Sequence, residues 1–193
     1  MAGNEHGIVE RALGYAARVH AGQVRKGSQI PYIVHPAEVV AICSRVTDDA
    51  ETIAAGALLD VVEDTDSSVS DLESLFGTRC ALIVAAVSED RREGADARLT
   101  WHERKLETVE RLGETMDDAV LIVAMADKLS NMRSTKAGLA LVGERHWERF
   151  NMHDVSQHAW YMRSLVAVFE PRLGHTIAWH ELRDVVEEVF AGV

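Results

Sequence analysis

Two carboxylates stand in surroundings that leave them without water. In Ile53-Ala-Ala-Gly-Ala-Leu-Leu-Asp-Val-Val-Glu-Asp-Thr65, Asp60 is the single polar side chain between Ile53 and Val62. A helix apolar on every side is a buried helix. A carboxylate inside it is costly unless a cation or hydrogen-bond donors meet it. The second case is Ala119-Val-Leu-Ile-Val-Ala-Met-Ala126, eight apolar residues leading directly into Asp127. Two buried helices that each offer one aspartate point to a shared positive partner, either a divalent metal or an Arg or Lys pair. His35, in Pro31-Tyr-Ile-Val-His-Pro36, is a further metal-ligand candidate or a satisfied core histidine. Glu63 and Asp64 follow Asp60 at helical spacing, which puts three carboxylates near one face. Acids at a helix C-terminus oppose the macrodipole, so a chemical role explains the pair better than a solvated helix end.

The elements that must position these groups read as helices almost throughout. A first helix carries Ile8, Leu13 and Val19 and ends near Gly22. A polar loop to Tyr32 leads to Pro36 in the first turn of a second helix, which runs to about Val46. A third follows Asp48-Asp49 and carries Ile53 to Val62. Val69–Phe76 and Arg79–Ser88 are split by Gly77. After a charged loop, Glu89–Arg98, helices are expected over Trp101–Leu112, about Met116–Leu139, Glu144–Phe150, His153–Phe169 and His175–Phe190. No segment alternates as a strand would, so the fold class is all-α.

The chain has 193 residues, which suits one domain with a sizeable core, and 47% apolar content argues against disorder. With 31 acids against 20 bases, the formal net charge is −11. Such a surface repels nucleic acid and anionic membranes, so an anionic ligand needs a local basic patch. No apolar run reaches the roughly 20 residues that span a bilayer. The start lacks a secretory signal, so a cytoplasmic location is expected. Cys43 and Cys80 fall in apolar helical patterns and read as buried free thiols. His102, His146, His153, His158, His175 and His180 are scattered and read mostly as surface residues. Trp147, Trp160 and Tyr161 read as packing between the late helices. Neither a Walker-type phosphate loop nor a Gly-x-Ser-x-Gly elbow is present.

Taken in order, His20-Ala-Gly-Gln-Val-Arg-Lys-Gly27, Pro31–Pro36, Asp60-Val-Val-Glu-Asp-Thr65 and Ala126-Asp-Lys-Leu-Ser-Asn131 resemble the (p)ppGpp hydrolases. These are HD-domain phosphohydrolases found in bifunctional Rel proteins and as small stand-alone enzymes. Phe76-Gly77, Trp101 with Lys105, and Trp147-Glu-Arg-Phe-Asn151 with Trp160-Tyr161 fit the stand-alone bacterial branch. The resemblance covers about residues 8–170 and implies one HD-type helical domain over 1–193 with no synthetase part. It implies a metal, usually manganese, held by His35, a His-Asp pair at 59 and 60, and Asp127. Position 59 departs from this pattern: it is Leu59, and no other histidine lies on that helix.

The implied reaction is hydrolysis of the 3′-pyrophosphate of (p)ppGpp, giving GDP or GTP and pyrophosphate. Glu63 and Asp64 match the pair that handles the proton or positions water. Arg25 and Lys26 match contacts to the nucleotide, and Lys105, Lys128 and Asn131 match positions at its phosphates or ribose. Leu59 leaves two other outcomes in view: a non-catalytic alarmone-binding regulator, or an HD phosphohydrolase for another nucleotide.

Overall fold

A computed structural model describes residues 6–89, 96 and 98–193. The chain begins with α1 (His6–Val19), α2 (Val34–Cys43), α3 (Ala50–Leu58) and α4 (Val61–Asp64). There follow α5 (Val69–Phe76), α6 (Thr78–Val87), α7 (Trp101–Glu114) and α8 (Asp118–Val142). A 3-10 segment (Gly143–Arg149) then leads to α9 (Val155–Leu173) and α10 (Ile177–Val189). Among the described residues there is no strand; one isolated bridge, Val24 to Pro31, pins the loop before α2. No helix among them is long and apolar enough to cross a membrane.

Five helices, α3, α5, α8, α9 and α10, begin where a short polar side chain accepts from a free backbone N–H group. Asp49 accepts from Glu51, Asp117 from Ala119, Asp154 from Ser156 and Thr176 from Trp179. Ser68 and Asp71 form a reciprocal capping box at α5. The apolar first half of α8 is the axis of the fold: every residue from Ala119 to Asp127 is buried. It packs against α2, α3, α6, α9 and α10. Gly56 allows α3 to lie close on α2, because a Cβ there would come within 3.1 Å of Cys43 Sγ and 3.3 Å of Val39 Cγ1. Cys43 and Cys80 are buried free thiols, as the sequence suggested.

The helix expected over Ile53–Val62 is not continuous. α3 stops at Leu58; Leu59 caps it, and Asp60 takes φ −97° and ψ −3° before α4 begins. Asp60 thus leaves α3 and becomes the N-cap of α4, its carbonyl accepting the Asp64 N–H at 2.9 Å. The helix expected over Glu144–Phe150 is the tighter 3-10 form. Of the charged stretch Glu89–Arg98, residues 90–95 and 97 lie outside the described residues. Filling the α2–α3 contact should be costly: Gly56→Val is expected to lower stability by about 1–3 kcal/mol, read from the urea midpoint at constant slope.

Candidate active site

His35, near the start of α2, is buried to 3% exposure and reaches toward both aspartates. Its Nε2 lies 3.4 Å from Asp60 Oδ2, at the α3–α4 break, and 3.1 Å from Asp127 Oδ1 on α8. The other ring nitrogen, Nδ1, is 2.9 Å from Ser130 Oγ, and the Ser130 hydroxyl donates to Glu38 Oε2 at 2.8 Å. Since that hydroxyl proton goes to Glu38, Ser130 Oγ accepts from His35 Nδ1–H, which fixes the ring with Nε2 facing the carboxylates. Burial alone would lower the His35 pKa, but hydrogen bonds and charge from Asp127 and Asp60 raise it to about 9. Asp127 also takes hydrogen bonds from Lys128 Nζ and Asn131 Nδ2, each at 2.6 Å. Burial would raise its pKa, yet Lys128 and His35 hold it well below the usual carboxylate range. Lys128 is shifted upward: Asp127 outweighs the lowering effect of burial.

Does this donor set suit a divalent cation? Neighbouring ligands of an octahedral ion bound at about 2.1 Å lie about 3.0 Å apart. The two His35–carboxylate separations are close to that edge. Imidazole and carboxylate oxygens suit a hard to borderline ion such as manganese. The Glu38–Ser130–His35 chain is the kind of outer support that orients a ligating imidazole. Among the described residues, however, no three His, Cys, Asp or Glu side chains are gathered into a closed metal cluster. The three donors instead form a bridge centred on His35. Leu59 is 5% exposed, lines the same cavity and offers no donor. The donor types suit a divalent cation, but among the described residues the three side chains do not close into a site for one.

That cavity, of about 180 Å³, separates the two acids expected to act together. Glu63 lines it, with one oxygen accepting the Glu89 backbone N–H at 2.7 Å. Asp64 is not among the lining residues; it shares the Tyr32 hydroxyl, 3.3 Å away, with Asp60 at 2.5 Å. Burial, then the nearby Asp60, push the Tyr32 phenol far above its usual value, so it serves as a hydrogen-bond donor.

The cavity opens on a larger chamber of about 370 Å³; Arg25, Tyr32, Lys128, Asn131 and Tyr161 border both. Arg25 donates to Asn131 Oδ1 at 2.9 Å. Lys26 lines the chamber with its Nζ 5.8 Å from the Phe150 ring centre. Lys105 lines it as well but pairs with Glu89 at 2.5 Å and lies 5.0 Å from the Tyr161 ring. All five residues expected to bind the nucleotide thus border one continuous space.

Several expectations need correction. Trp147 and Tyr161 pack the late helices but also form chamber wall, and the buried Tyr161 hydroxyl has no hydrogen-bond partner. Trp160 stays outside, stacked on His102. His146 is buried and His158 half-buried in the chamber wall, so neither is a surface residue. Sequence reasoning assigned no role to Tyr32, Glu38 or Ser130. Tyr32 sits within the Pro31–Pro36 motif, and Ser130 lies one helical turn after Asp127, which were the available signals.

Comparison with known proteins agrees with the fold. The HD domain family matches residues 12–146. A Danio rerio protein named guanosine-3′,5′-bis(diphosphate) 3′-pyrophosphohydrolase MESH1 is 37% identical over 129 residues, covering 65% of this chain and 68% of that one. A Myxococcus xanthus GTP pyrophosphokinase is 36% identical over 129 residues, 66% of this chain. The chain spans 17% of that relative's length, and 15% of a 37%-identical Streptomyces coelicolor GTP pyrophosphokinase. Among solved structures, a metazoan ortholog of SpoT described as hydrolysing ppGpp superposes with a TM-score of 0.75 at 26% identity, covering 94% of both chains. A Listeria monocytogenes EGD-e protein gives 0.70 at 28% identity, with 81% of this chain and 98% of that one covered.

The charge balance around Asp127 makes a stability prediction. Removing its carboxylate leaves His35 with Asp60 alone and takes from the half-buried Lys128 its ion-pair partner. Asp127→Ala should cost about 3–5 kcal/mol in urea unfolding at neutral pH.

Proposed function

The chain belongs to the HD-domain family, and from that premise we propose that it is a metal-dependent hydrolase of (p)ppGpp, releasing pyrophosphate from the 3′ position. The observation that carries this reading is the continuity of the acidic cavity with a chamber walled by cations and aromatic rings. A nucleotide phosphorylated at both ends needs a charge-neutralising centre for the reacting phosphate and a separate cradle for the rest.

Within this reading His35, Asp60 and Asp127 would hold a divalent ion, manganese by their chemistry. Such an ion lowers the pKa of a bound water and polarises the phosphoryl oxygen. Glu63 lies in the cavity wall and accepts the proton of the attacking water. The water oxygen bonds to the phosphorus next to the ribose, the P–O3′ bond breaks, and the 3′ oxygen takes up a proton. Asp64 acts more remotely, through the Tyr32 hydroxyl that also orients Asp60. Arg25, Lys26 and Lys128 answer the substrate's negative charge, and Asn131 holds Arg25 and Asp127 in register. Lys105 contributes through the chamber wall and its pairing with Glu89.

Leu59 favours a second reading, an alarmone-binding regulator with a disabled centre. Its buried isobutyl group lies in the cavity wall where the family pattern has an imidazole. The two readings part in one assay. With added manganese the protein is expected to release pyrophosphate from ppGpp, and Leu59→His to raise metal affinity by about 10- to 100-fold. Activity in the Leu59→His protein alone would select the regulator. If neither releases pyrophosphate, the alarmone assignment is wrong. Glu63→Gln should lower kcat by about 10²- to 10⁴-fold with little change in KM.

A further inference from the structure

Beside the reaction cavity and chamber, and sharing part of their walls, lies a groove of about 490 Å³. Its floor is the middle of α8, where Ser130, Ser134, Ala137 and Gly138 are small. One wall is the loop before α2, up to Ile30, and the other is the 3-10 segment. His35 separates the two spaces: Nε2 faces the carboxylates of the reaction cavity, and Nδ1 faces Ser130 in the groove floor.

The charge of this groove is opposite to that of the chain. Five of its lining residues are cations, Arg25, Lys26, Arg133, Arg145 and Arg149, against one acid, Glu38. Glu38 is already engaged, by Arg133 at 3.0 Å and by Ser130. Arg145 is exposed and has no carboxylate partner among the described residues. Arg149 Nε and His146 Nε2 are buried without hydrogen-bond partners, although buried polar atoms are ordinarily satisfied. Burial, then the neighbouring Arg25, hold the Arg149 guanidinium below its usual value, a sign of cations crowded together. In a protein of net charge −11, such a concentration of positive charge must be held in place against no general need. Exposed Ile30, Val34, Leu141 and Val142 give the rim an apolar character.

We infer that this groove is a second binding site, for a phosphorylated small molecule whose phosphate group meets Arg145 and Arg149 while an apolar portion rests on the rim. It adjoins the substrate space, sharing Arg25, Lys26, Ser134 and Arg149 with the chamber, but Arg133, Arg145, Ala137 and Gly138 line the groove alone. The inference needs no turnover and stands apart from the hydrolase reading.

The test is calorimetric titration of the whole protein with inorganic pyrophosphate in metal-free buffer containing a chelator. Two sites per chain are expected. Arg145→Glu, which reverses an exposed charge, and Ala137→Trp, which fills the groove from an exposed position without altering charge, should each weaken one site by about tenfold or more and spare the other. Lys128→Ala should weaken the site they spare. A single site in the unmodified protein, or two sites unchanged in both variants, overturns the inference. So does equal weakening of both sites by Arg145→Glu alone, which would mark a general field. Pyrophosphate release from ppGpp by Arg145→Glu should equal that of the parent, so failure of the hydrolase reading shows as absent turnover in both, with the titration unaffected.

Discussion

Negative charge buried at the meeting of α8 with the α3–α4 break sets the terms for the rest of the molecule. Asp127 ends a helical half whose other faces are all occupied by core side chains, so its charge must be answered locally. Three elements supply the answer. α2 brings His35, α8 itself brings Lys128 and Asn131, and the loop before α2 brings Tyr32 to Asp60. Each of these partners is in turn restrained: Ser130 and Glu38 hold the imidazole, and Arg25 holds the amide of Asn131. Apolar packing fixes where α8 lies, and charge compensation then fixes which residues of its neighbours must face it.

Leu59 tests how much of that arrangement depends on its position. An isobutyl group in the core adds favourable burial and no electrostatic demand. Folding therefore does not require a histidine there, and the partners of Asp60 and Asp127 are satisfied without one. The fold at this position is therefore supported by apolar burial alone, whatever chemistry the neighbouring carboxylates perform.

Much of this was legible in the sequence because burial leaves a linear trace. The run Ala119–Ala126 announces a central helix, and a carboxylate directly after it announces a site. The ordered motifs from His20 to Asn131 locate the same place from the other side. Features set by long-range contacts were hidden. Periodicity over Ile53–Val62 gives no sign of the turn at Asp60, where tertiary packing overrides local helical preference. Glu63 and Asp64 are adjacent in sequence, yet only one of them lines the cavity. The burial of His146 depends on Gly138, eight residues away on a different element.

That last pairing has an evolutionary consequence. A Cβ at position 138 would sit 2.0 Å from His146 Nδ1 and 2.1 Å from its Cε1. A side chain at 138 and an imidazole at 146 are thus mutually exclusive occupants of one volume. The two positions should covary across homologues as a single character, with substitutions arriving in pairs. Lineages that enlarge residue 138 would have to give up the ring at 146, and with it this seat of the 3-10 segment against α8.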